Sequence, residues 1–244
     1  MPPRVQLAFF MIFLTVGPFI ASSQVLPRST YGLPIVNSIS LFGQTLRQHT
    51  EKEMIAVSSR AGLVLDLRYA TKNNFLKKIL YTEKPRETYL RKPAAIALDS
   101  ALAELKKMGL GLKIFDAYRP YFITMQLWQK EPDSRYAADP AKGSGHNRGI
   151  AVDLSLIDLR TQQPLEMPTG FDNFSDSAHQ DFIALEARVI QHRNLLKQVM
   201  EKHGFIALAT EWWHFSWPHP ENYEVLDLSF HQMKEIVRNR QNEK

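Results

Sequence analysis

The stretch that most constrains this chain runs from Gly143 to Leu156, Gly-Ser-Gly-His-Asn-Arg-Gly-Ile-Ala-Val-Asp-Leu-Ser-Leu. From Ile150 onward the residues alternate. Ile150, Val152, Leu154 and Leu156 fall on one side, and Ala151, Asp153 and Ser155 on the other, the period-2 pattern of a half-buried strand. Asp153 therefore stands on the small, polar face. His146 lies an odd number of residues earlier, and Asn147-Arg148-Gly149 between them is turn chemistry, so His146 is expected on a loop folded back over the Asp153 face.

A second segment, Glu211-Trp212-Trp213-His214, follows some sixty residues later. Trp213, Phe215 and Trp217 share one parity and read as core, which leaves His214 and Ser216 on the other face. Glu211 is three residues from His214, and in a regular strand the two would diverge. A shared site therefore requires a bulge or a strand end between them.

Two neutral imidazoles and one carboxylate leave a bound Zn²⁺ positively charged with an open position for water, the layout of a catalytic zinc site. A nearby carboxylate that is not a ligand can take that water's proton and pass it to a leaving amine, and Glu211 is the candidate. Taken singly, each residue also has an ordinary reading. His146 suits a loop, Asp153 suits a local cap or pair, and the two tryptophans suit a core with or without metal.

Together these motifs resemble the zinc D-alanyl-D-alanine peptidases, and among them the D-Ala-D-Ala dipeptidases of the vancomycin-resistance type. Three further stretches carry the resemblance: Leu65-Asp66-Leu67-Arg68-Tyr69-Ala70-Thr71 with Asn74-Phe75, Phe115-Asp116-Ala117-Tyr118-Arg119-Pro120, and Met167 through Ser175. The resemblance implies a compact α+β domain, a small antiparallel sheet flanked by helices, with one zinc ion on His146, Asp153 and His214 and Glu211 as base. It further implies that Arg119 stabilises the tetrahedral oxyanion, and that Asp172 receives the ammonium of a free dipeptide. Arg119 also reads as an ordinary salt bridge near a helix start, and Ser144 either touches substrate or shapes the loop. Pro168 stands where the resemblance leads one to expect glycine, which bears on the backbone before Asp172.

The implied reaction is hydrolysis of D-Ala-D-Ala to two D-alanines. One alternative is a D,D- or L,D-carboxypeptidase that trims peptidoglycan stems with the same zinc chemistry. Another is a cell-wall-binding protein that keeps the fold without turnover.

Along the chain, Met1 to Ser23 has a basic start at Arg4 and an apolar run from Val5 to Ala21, then small residues ahead of Gln24. This reads as a cleavable signal peptide, with an uncleaved anchor as the alternative, so a periplasmic or secreted protein is expected. No later run is apolar enough to span a bilayer. Residues 24–60 read as an N-terminal arm without clear periodicity, and residues 61–244 as the peptidase domain. The 244 residues contain no cysteine, which excludes disulfides and thiol chemistry. The net charge of +5 comes from scattered Lys and Arg without a basic stripe, which argues against a nucleic-acid partner.

Strands are expected at residues 62–69, 112–117 and 205–210. Helices are expected over 94–108 with Ile96, Leu102 and Leu105 as the apolar face, from Pro120 to about Gln129, over 180–203, and from about Phe230 as a short charged end. Residues 71–91 read as a loop able to cover a site. The remaining histidines have no partner at ligand spacing. His203 suits the C-terminal end of its helix.

Overall fold

The structure is a computed structural model, and it describes residues 26–134 and 137–242; the expected signal peptide lies outside the described residues. Before Arg60, where no periodicity was expected, the chain forms regular elements. Strand β1 (Ile35–Val36) leads into helix α1 (Ile39–Gln48), which starts at Ser38, whose hydroxyl accepts from Leu41 N. Phe42 and Leu46, four apart, are its buried pair. Strand β2 (Met54–Ala56) follows.

Strand β3 (Leu63–Leu65) is shorter than its alternation suggests, because Arg68–Ala70 coils into a 3-10 turn. The loop that follows ends at strand β4 (Tyr89–Arg91). Helix α2 (Lys92–Lys107) carries Pro93 in its first turn, where a missing N–H costs nothing. Ile96 is 57% exposed, so the expected apolar face is corrected: Ala94, Ala97, Leu98, Ala101, Leu102 and Leu105 face inward. Strand β5 (Leu110–Asp116) then runs to Asp116, and helix α3 (Tyr121–Lys130) opens after Pro120.

Helix α4 (Gly145–Arg148) is a single turn where a loop was expected, and it leads into strand β6 (Ala151–Asp158). Helix α5 (Ala187–Lys202) begins later than expected, after Glu186, so Phe182 and Leu185 precede it. Strand β7 (Ile206–Ala207) is only a remnant of the expected strand, and β8 (His214–Ser216) starts at the second histidine. Strand β9 (Val225–Leu226) and helix α6 (Phe230–Asn242) complete the order. Helix α6 is more than a charged end, since Phe230, Met233, Ile236 and Val237 are buried at helical spacing.

The central sheet has the order β3-β5-β6-β8-β7. It is mixed rather than antiparallel, because β3 runs parallel to β5 while the other pairs are antiparallel. Strand β6 lies in the middle and is buried on both faces, not half-buried. Its Val152, Leu154 and Leu156 join one core with α2 and with Leu196, Val199 and Met200 of α5. A second core gathers Phe42, Tyr81, Tyr118, Leu127, Phe230 and Met233 from α1, α3, α6, the 71–88 loop and the segment between β5 and α3. The class is α+β, as expected.

Register places the chemistry. A β-bulge in β5 between Ile114 and Asp116 sets Asp116 opposite Asp153, and Asp153 is opposite His214 in β8. Three ionisable residues thus form one row across neighbouring strands.

Candidate active site

His146 is carried by α4. The Ser144 hydroxyl accepts from Asn147 N at 3.2 Å, and Asn147 Oδ1 accepts from Ser144 N at 3.0 Å, a reciprocal cap on a helix of one turn. Gly149 ends the turn at φ +72°, where a β-carbon is disfavoured. Gly145 lies so close to β6 that a β-carbon there would come within 2.9 Å of Ala151 Cβ. These residues let α4 lie directly against the strand that holds Asp153.

Glu211 to Trp213 form a turn, with His214 N donating to Glu211 O at 3.3 Å, and β8 begins only at His214. The strand end required between Glu211 and His214 is present. It brings the Glu211 carboxylate to 4.0 Å from His214 Nδ1.

The metal-type donors converge. His146 Nε2 lies 3.3 Å from His214 Nδ1 and 3.3 Å from Asp153 Oδ2, and His214 Nδ1 lies 2.8 Å from Asp153 Oδ1. The other imidazole nitrogens point away: His146 Nδ1 donates to Ala117 O at 2.8 Å, and His214 Nε2 is hydrogen-bonded to Ser216 Oγ at 3.0 Å. Outward donors of this kind fix the tautomer of a ligand histidine. With both outer nitrogens protonated, lone pairs from three side chains meet at one point, and a cation satisfies them. This donor set, within 4.8 Å overall, fits a divalent metal. His146 and His214 hold Asp153 well below the usual carboxylate range despite its burial, so the carboxylate is charged and ready to bind. Metal could displace the proton from His214, whose pKa is raised by Asp153 against the opposing effect of burial.

Around this point lies a cavity of about 450 Å³ lined by Tyr69, Arg119, Ser144, Asp172, Phe174 and Glu211 among others. Glu211 is pushed up to about 7, chiefly by burial, while His214 draws it down and Asp153 adds to the rise. Asp172 is likewise pushed up to about 7, by burial and then by Asp153. Its carboxylate accepts from the Tyr69 hydroxyl and from Phe75 N, each at 3.3 Å, and its backbone stands at φ +61°. Asp172 reaches the cavity with Pro168 in the sequence.

Arg119 is 6% exposed and lines the same cavity. Its Nε and Nη2 each lie 2.8 Å from Asp116 Oδ2, and Nη2 is 4.0 Å from Asp153 Oδ2. The salt bridge read as the ordinary alternative is therefore present, at a residue that also faces the site. Burial disfavours its charge, but Asp116 holds the guanidinium pKa above its ordinary value. Its guanidinium carbon sits 4.9 Å above the Tyr69 ring. Asn147 Nδ2 donates to Arg119 O, and Arg119 N to His146 O, so the arginine and α4 are tied together by backbone.

All seven residues singled out from the sequence line this one cavity. Ser144 does so as the cap of α4. Asp116 and Tyr69 had no role of their own in the sequence reading, and Tyr81 only that of its loop, which was read as able to cover a site. Asp116 and Tyr69 sit inside stretches that carried the resemblance, and the missing signal was the register that turns Asp116 toward Arg119.

Paired imidazoles and a carboxylate beside a proton-exchanging carboxylate are the chemistry of metal-dependent hydrolases, and this is a metallopeptidase. The chain belongs to the M15 peptidase family, described as D-Ala-D-Ala dipeptidase, whose profile matches residues 51–234. A D-alanyl-D-alanine dipeptidase of Escherichia coli (strain K12) is 35% identical over 168 residues, which is 69% of this chain and 86% of that protein. One from Enterococcus faecalis (strain ATCC 700802 / V583) is 27% identical over 183 residues, 66% of this chain and 91% of that protein. A solved LD-carboxypeptidase is similar over 62% of this chain and 65% of its own, at 22% identity and a TM-score of 0.37.

Proposed function

We propose that this metallopeptidase hydrolyses free D-Ala-D-Ala to two D-alanines, with zinc held by His146, Asp153 and His214. The observation that carries the choice of a free dipeptide is Asp172, a half-buried carboxylate in the same cavity as the metal donors and Glu211. An ammonium of the substrate would set a counter-charge against that carboxylate, whereas an acylated stem peptide offers none.

When bound, zinc in this donor set supplies a Lewis acid that brings a water near ionisation at neutral pH. Glu211 takes a proton from the attacking water and returns it to the leaving amine, a task suited to a carboxyl near 7. The water oxygen joins the carbonyl carbon, the C–N bond breaks, and the proton ends on the new amine. Arg119 faces the negative charge that grows on the carbonyl oxygen. Ser144 holds α4, and thereby His146, in place.

The same proposal takes residues 61–244 as the peptidase domain with residues 24–60 ahead of it. It also takes Met1–Ser23 as a signal that sends the enzyme to the periplasm or outside the cell. There it would recover D-alanine from wall peptides, in keeping with a chain that needs no disulfide.

The test is D-alanine release by the zinc-loaded chain from D-Ala-D-Ala, from N-acetyl-D-Ala-D-Ala and from a stem peptide ending in D-Ala-D-Ala. Release from the free dipeptide alone supports the proposal. Release from the acylated substrates would make it a carboxypeptidase, and silence on all three would favour a wall-binding protein.

A further inference from the structure

The loop of residues 71–88 bonds in two places to residues at or just behind the cavity wall. At one, Phe75 N donates to Asp172. At the other, the Tyr81 hydroxyl donates to Asp116 Oδ1 at 2.6 Å, and the second oxygen of Asp116 receives Nε and Nη2 of Arg119. Asp116 is fully buried and Tyr81 nearly so. The middle of the loop is tied back to the residue pair before it, since Leu80 N and Tyr81 N both donate to Tyr69 O at 2.8 Å, and the Tyr69 ring carries the Arg119 guanidinium.

An arginine side chain has several free rotors, and a charge that wanders contributes little to a transition state. Here the guanidinium is fixed along one edge by Asp116 and beneath by Tyr69. Asp116 is in turn held from turning by Tyr81, whose hydroxyl occupies its other oxygen. Tyr81 is not among the residues that line the cavity, and neither is Asp116. Any effect they have on the reaction must pass through a neighbour.

We propose that Tyr81 and Asp116 are a positioning pair for Arg119, so that the seating of loop 71–88 sets turnover through the aim of the guanidinium and leaves substrate binding unchanged. The inference rests on the proposed role of Arg119 at the oxyanion. Tyr81 is the cleaner probe, because its ring packs against Tyr69 and Phe230 and would remain in Tyr81→Phe. Asp116 also lies 3.7 Å from His146 Nδ1, so zinc content must accompany any change there.

The experiment is a double-mutant cycle on zinc-loaded enzyme: parent, Tyr81→Phe, Arg119→Ala and the double variant, with kcat, KM and zinc content measured for each. Tyr81→Phe is expected to lower kcat about fivefold to tenfold with KM and zinc unchanged, an effect smaller than loss of the arginine itself. In the Arg119→Ala background the same change should alter kcat by less than about twofold, because the group it positions is gone. An equal fall in both backgrounds, or no fall in the parent, overturns the pair. Asp116→Asn, run through the same cycle, must show the same dependence on Arg119, so a destabilised Tyr81→Phe does not remove the test. A parent that releases no D-alanine overturns the dipeptidase reading and the pair with it, whereas an active parent with additive variants overturns the pair alone.

Discussion

Glu211 holds a carboxyl that folding pushes up to about 7, chiefly through burial. In the unfolded chain it ionises at its ordinary, lower value. Between those two pH values the folded state binds more protons than the unfolded one, so this group's contribution to stability falls as pH rises and is neutral in acid. Glu211→Gln removes the charge. The metal-free variant should therefore exceed the parent in stability by about 1–2 kcal/mol near pH 8 and match it near pH 4, measured by urea unfolding. The same change should lower kcat by about 10²–10⁴ while zinc content stays that of the parent. Asp172 is a different case, since in the proposed mechanism its carboxylate would hold an end of the substrate and not the reacting bond. Asp172→Asn should raise KM for the free dipeptide by about tenfold or more and alter kcat less, as expected of a group that binds ground state and transition state alike.

Helix α4 shows what a short element contributes. One turn cannot stand by propensity, and this one stands on its cap, on Gly149 and on bonds from Asn147 Nδ2 to Arg119 O and Thr124 Oγ1. Ser144→Ala should cost about 1 kcal/mol of stability. It should weaken metal binding severalfold in a chelator titration and leave KM within about twofold. A large rise in KM with unchanged metal affinity would instead make Ser144 a substrate contact. The parity of β6 was legible because alternation is local, and it sorted Asp153 from its apolar neighbours. The strand end before His214 was legible because Glu211 and His214 had to meet. By contrast, α4 was too short for any helical period to show, and Ile96 was misplaced because the buried side of α2 is lined with alanines, which let the helix lie close to the sheet. Nor could the row of Asp116, Asp153 and His214 be read, since strand register and the bulge in β5 arise from pairing between distant segments.

For the whole molecule, the donors come from α4, β6 and β8, so a bound metal cross-links three elements of a chain that has no disulfide. A ligand that binds only the folded state stabilises it, by about 4 kcal/mol at a thousandfold excess over Kd. Removing metal with a chelator should lower Tm by about 5 °C or more, and one equivalent of zinc should restore it. Among the described residues no helix is long and apolar enough to cross a membrane. The metal assay uses the chain from Gln24 onward.

The most direct measurement is D-alanine release from D-Ala-D-Ala by that chain after chelation and again after one zinc per chain is returned, beside His214→Ala treated in the same way. We expect the chelated parent to be silent, the reloaded parent to recover, and the variant to stay silent. Equal release by chelated and reloaded parent, or no release by a parent shown to hold zinc, would contradict a dipeptidase built on His146, Asp153 and His214.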